Sequence, residues 1–244
     1  MAAQKYPRAS LAAWYQSRYL GDLMNANTGV VHTTEGTSLP SYGGGGSAPT
    51  FTLVPSLKDK TVAVYQHFDV DRSARALVNK AGGVQTNTLN CVQVELTGTC
   101  DPKTRAKWTA EGRSFIFWPE APDWALLEFA RLVRWLSDEH GVRLASTVTW
   151  KAYPGSYGAN GVRLSGQEWT DYYGWLGHQH VPENDHGDPG NFPMGKVLTM
   201  AREKAWETKP PAPKPPTVEE RLASLEKTVK DQGARLAVLE TKGA

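Results

Sequence analysis

The 244 residues are 40% hydrophobic and 10% aromatic, enough to bury one sizeable core and leave a small appendage. Basic residues number 27 against 25 acidic, and the resulting formal charge of +2 is too weak a field to make nucleic acid the expected partner. No window approaches the roughly 18 apolar residues of a membrane span, and two cysteines, Cys91 and Cys100, are too few for a disulfide framework and lack a CxxC spacing.

The opening stretch MAAQKYPRASLAAWYQSRYL has no uninterrupted apolar run of the kind a secretion signal needs, so the expectation is a chain made in the cytoplasm without membrane insertion. TGVVHTTEG, from Thr28, reads as a buried strand running into a loop. Gly43 to Gly46 lack the Lys and Ser/Thr of a phosphate loop and read as a flexible surface loop, close enough after His32 to border a groove. TVAVYQHFDV and CVQVELTG read as two further strands, with Cys91 a buried small residue in the second. Residues Trp124 to His140 carry apolar groups at helical spacing and stop at Gly141, and a second helix is expected after Phe192, through MGKVLTMAREKAWE.

Strands separated by helices predict an α/β fold, a mixed central sheet flanked by helices, over residues 1–207. KPPAPKPP makes 208–217 a Pro-rich linker that favours an extended spacer. In 218–244, Val218, Leu222, Leu225, Val229, Gln232, Leu236 and Leu239 alternate in steps of four and three, the seam of a coiled-coil-like helix. Gly233 weakens that helix by about 1 kcal/mol. Three heptads are marginal alone, which favours a homo-oligomer through this tail over a lone helix docked on the domain.

Six histidines occur, and three fall within GHQHVPENDHGDPG, residues Gly177 to Gly190. Catalytic zinc typically takes three His or carboxylate ligands and leaves a fourth position for water. His32, one histidine of this loop and Asp188 would supply that set. Taken singly, a His after an apolar strand is more often a hydrogen-bonded core residue, and Asp-Pro-Gly is a turn signal in its own right.

In chain order, VVHTTEG, YQHFDVD, CVQVELTG and GHQHV with HGDPG resemble the type 2 N-acetylmuramoyl-L-alanine amidase family, which includes phage endolysins and peptidoglycan recognition proteins. The resemblance spans roughly Pro7 to Ala205. It implies Zn2+ held by His32, His178 and Asp188, with bacterial peptidoglycan as the partner. His178 keeps the family's Gly-His pair ten residues before Asp188; His180, eight before it, is the alternative. Glu95 matches a catalytic Glu of one branch and is the expected general base, against the reading of a solvent-facing strand residue, since Gln93 and Glu95 alternate with Val92, Val94 and Leu96. In other branches a Tyr serves. Here His67 aligns with the His beside that Tyr, but Tyr65 is displaced by one residue, which would turn it to the other face. His186 replaces the usual Lys as oxyanion stabiliser, and an imidazole titrates near pH 6.5. The implied activity is hydrolysis of the muramoyl–L-alanine amide by a phage endolysin. A non-catalytic recognition module and a zinc peptidase cutting within the stem peptide are the alternatives.

Overall fold

The computed structural model describes residues 2–88 and 90–207. A first unit spans Met1–Trp206 and a second Glu207–Ala244. The linker and heptad helix expected over 208–244 lie outside the described residues.

A six-stranded mixed sheet forms the centre, built from β1 (Ala9–Ser10), β2 (Thr28–Thr33), β3 (Phe51–Ser56), β4 (Thr61–Gln66), β5 (Cys91–Leu96) and β6 (Gly174–Gly177). Their order is β1-β4-β3-β5-β2-β6, and only the β3–β4 hairpin is antiparallel. Among the described residues, five α-helical segments accompany it: a four-residue turn α1 (Tyr42–Gly45), then α2 (Pro102–Ala110), α3 (Asp123–His140), α4 (Gly166–Thr170) and α5 (Met194–Glu203). The expected α/β architecture is therefore present. No described helix is long and apolar enough to cross a membrane.

Helix α3 forms where the apolar spacing predicts it, burying Leu126, Phe129, Val133 and Leu136 along one stripe. It stops because Gly141 turns left-handed at φ 74° and its N–H closes on Ser137 O at 3.1 Å. Helix α5 ends earlier than its sequence pattern, because Lys204 adopts φ 48°. Both helices pack on one face of the sheet against Val31, Val92, Val94, Leu96, Phe51 and Leu53. Each such fully buried Leu, Val or Phe contributes about 1.5–3 kcal/mol.

Successive side chains of a strand alternate between faces. Val30, Cys91 and Leu176 therefore point the other way, into a second cluster with Leu77, Trp169 and Val181. Cys91 is fully buried, and burial pushes its thiol up to about 12. Gly29 lies opposite Trp175 in the β2–β6 register. A Cβ on it would meet the indole ring at 2.5 Å. Gly29→Ala is accordingly expected to cost about 1–3 kcal/mol or more in urea denaturation, and an unchanged midpoint would contradict the close approach.

The glycine run takes a definite shape: residues Tyr42 to Gly45 form a tight turn with positive φ throughout, and Gly45 is packed against Tyr15 so closely that a Cβ would lie 2.5 Å from the ring. Glycine is needed here because the turn is left-handed and crowded, and neither requirement implies mobility.

Candidate metal centre

The site grows out of strand register. Val30 faces Leu176 across the parallel β2–β6 pair, so the next positions on that face are His32 at the end of β2 and His178 just beyond β6. On the other flank of β2, Glu95 of β5 pairs with His32. All three stand at the carboxyl ends of parallel strands, where an open α/β sheet leaves a crevice for ligands. Asp188 arrives from the loop that follows. Thr33 N–H donates to its Oδ2 at 3.0 Å, and Gln179 N–H donates to its peptide oxygen at 3.0 Å. Its peptide bond to Pro189 is cis. Arg163 ties the loop down, donating to the carbonyls of Val181 at 2.9 Å, His186 at 3.1 Å and His178 at 3.3 Å.

His32, His178 and Asp188 are buried and present one ligand atom each within 4.8 Å of one another. His32 Nδ1 lies 3.0 Å from His178 Nδ1, which lies 3.2 Å from Asp188 Oδ1; His32 Nδ1 to Asp188 Oδ2 is 3.7 Å. Four ligands bound tetrahedrally to zinc at about 2.0–2.1 Å sit about 3.4 Å apart. The three observed separations bracket that value, so the donor set fits a divalent ion, and two imidazoles with one carboxylate suit zinc.

His180, the alternative second ligand, is placed elsewhere. Its Nδ1 accepts from Gly177 N–H at 2.9 Å, its Nε2 lies 3.0 Å from Thr149 O, and Trp150 meets its ring edge-on at 5.1 Å. Both nitrogens are thus spent on backbone, and burial pushes the imidazole down to about 4.

The electrostatics favour metal-ready ligands. Burial, then His178, hold His32 well below its usual range, against the pull of Asp188. Burial alone would raise the Asp188 carboxyl, but His178, His32 and the Thr33 N–H outweigh it and keep the group ionised. Glu95 goes the other way. Burial, with the negative charges of Asp188 and Glu35, pushes it well above the ordinary carboxylate range, and its Oε2 is out of water with no hydrogen-bond partner. A cation beside it acts in the opposite direction. His186 stacks flat on His178, ring centroids 4.6 Å apart and planes 5° from parallel, with Nδ1 3.8 Å from Asp188 Oδ1. Its other flank is exposed.

The chain matches no protein-family model and no curated protein. What the site can do rests on its own residues.

A cavity of about 420 Å³ exposes Glu95, His178, His186 and Asp188 together, with Glu35 and Tyr42 in its walls. A smaller one of about 210 Å³, lined by Tyr153 and Tyr157, shares Glu35, His186 and Asp188 with it. Asp188 and His186 therefore stand between the two hollows. The solvent-facing alternative for Glu95 does not hold, since the residue lines this cavity with one oxygen sealed.

Three participants escaped the sequence. Glu35, in HTTEG, holds the loop after β2 by accepting from Thr33 Oγ1 at 2.7 Å, Cys100 N–H at 3.0 Å and Thr99 Oγ1. Tyr42 brings the aromatic hydroxyl that Tyr65 does not, its O–H lying 2.7 Å from Thr52 Oγ1. Tyr65, expected on the other face, pairs with Thr52, which itself pairs with Glu95. It therefore shares Glu95's face but lies two strands away. His67 spends both ring nitrogens on Thr52 Oγ1 and Ala13 O. The third is Asn184, whose Oδ1 lies 3.2 Å from His178 Nε2.

Proposed function

We propose that this chain is a zinc-dependent N-acetylmuramoyl-L-alanine amidase that cuts bacterial peptidoglycan, acting in host lysis as the phage endolysins it resembles do. The observation that carries the reading is the convergence of His32, His178 and Asp188 on one point, beside a cavity that His178 and Asp188 line together with Glu95 and His186. A complete donor set with an uncommitted carboxylate oxygen beside it is more than a binding module needs.

When bound, zinc supplies a Lewis acid that activates water and polarises a carbonyl. The chain's own groups do the rest. Glu95 takes the proton of the attacking water and returns it to the departing L-alanine nitrogen as the C–N bond breaks. His186, at the rim, offers an N–H to the carbonyl oxygen as negative charge develops there.

Burial, then His178, hold His186 below the usual imidazole range against Asp188, so it is neutral at pH 7 and donates as a neutral N–H. Its contribution should then change little between about pH 7 and 9. In rate profiles, His186→Ala is expected to lower activity by a nearly constant factor over that span. A defect confined to the acid side would instead mean that the imidazolium is the working form.

Digestion of purified peptidoglycan, with and without a chelator, tests the activity. The expected products are free lactyl-muramic acid ends and new N-terminal L-alanine, formed only with metal. New amino termini elsewhere in the stem peptide would make it a peptidase, and binding without new ends a recognition module.

A further inference from the structure

The two imidazoles of the metal centre are not supported alike. Buried His32 Nε2 has no hydrogen-bond partner, whereas His178 Nε2 meets Asn184 Oδ1. Asn184 is 2% exposed, and its amide can be oriented in only one way. Its Oδ1 accepts from Val78 N–H at 3.0 Å, while its Nδ2 donates to Pro182 O at 2.9 Å and Val78 O at 3.4 Å. With Oδ1 facing it, His178 Nε2 must carry the hydrogen, which leaves the Nδ1 lone pair aimed at the cluster. The same oxygen therefore sets the tautomer of a metal ligand and holds the backbone of Val78.

Val78 is not a neutral anchor. Its side chain is 52% exposed and forms part of the wall of the larger cavity. The residue before Asn184 holds the same stretch of chain six positions further on, since Glu183 Oε2 accepts from Val84 N–H at 2.8 Å.

We infer that Asn184 is a positioning residue that couples metal occupancy at His178 to the order of the substrate-cavity wall carrying Val78. The inference rests on the metal reading of the site. A cation on Nδ1 polarises the imidazole and makes Nε2–H a stronger donor. Asn184 is then held more firmly, and through it the Val78 amide. Conversely, a wall fixed by substrate preorganises His178 for the metal, as reciprocal linkage requires.

Amide hydrogen exchange on the full chain, with Zn2+ alone as the probe, tests this without substrate. Zinc should slow exchange at Val78 about tenfold, the difference between a neutral and a charge-assisted bond. Asn184→Ala should weaken zinc binding about 10- to 100-fold and make Val78 exchange indifferent to zinc, while Asn184→Asp, which keeps the acceptor oxygen, should restore most of the affinity. Wild-type protein that binds zinc with Val78 exchange unchanged overturns the coupling alone, and so does an Asn184→Ala variant with undiminished affinity. Should that variant fail to fold, the wild-type comparison still decides. Wild-type protein that takes up no zinc overturns the metal reading and the coupling together.

Discussion

Replacing His178 by Ala is expected to abolish stoichiometric metal binding and all cleavage, whereas replacing His180 by Ala should leave the metal in place. The two residues are near neighbours in one short segment, yet only His178 directs a ring nitrogen at His32 and Asp188. His180 is a structural residue. Its loss strands Gly177 N–H and Thr149 O and removes a ring packed on Trp150. That should cost about 1–3 kcal/mol of stability and little of the chemistry. Metal analysis of the two purified variants, with a melting curve for each, separates the roles. Loss of metal from His180→Ala at a temperature where it is folded would reverse the assignment.

Glu95→Gln is the second large effect. The amide keeps the shape and the burial but cannot take a proton, so cleavage should fall by about 100-fold or more with zinc content unchanged. The direction of the Glu95 shift adds a test independent of turnover. A carboxyl raised by burial, Asp188 and Glu35 holds its proton to higher pH in the metal-free protein. The charge of an incoming cation lowers it again. Zinc binding at a pH where the metal-free carboxyl still holds its proton should therefore release more protons from the wild type than from Glu95→Gln, measurable by calorimetry in buffers of different ionisation enthalpy. Equal release with normal cleavage would remove Glu95 from the base role.

Much of this geometry was legible in the chain itself. Period-two alternation in TGVVHT and CVQVEL put His32 and Glu95 on whichever face Val30 and Gln93 occupy, and the parallel register then brought them side by side. The helix over Asp123–His140 and its glycine stop followed from apolar spacing and a single left-handed residue. What the pattern could not supply was contact across loops. Local spacing offers His178 and His180 almost equally; the choice was made by a backbone turn that spends both nitrogens of His180 within the fold. Tyr42 was hidden because four glycines read as a featureless loop, while the positive φ of Gly43, Gly44 and Gly45 and the contact of Gly45 with Tyr15 make a tight turn there. Asn184 looks like any polar loop residue until the distant Val78 comes to it, 106 positions away in sequence.

The central claim is that His32, His178 and Asp188 hold one zinc ion. X-ray absorption at the zinc edge, on protein carrying a measured equivalent of metal, addresses it most directly. The expected spectrum has nitrogen and oxygen neighbours only, at about 2.0–2.2 Å, with the outer-shell signature of two imidazoles. Cys100 is buried and lines the smaller cavity with Glu35 and Asp188, so a thiolate is the competing kind of ligand to be excluded. A sulfur neighbour at about 2.3 Å, a single imidazole, or no stoichiometric zinc would contradict the assignment.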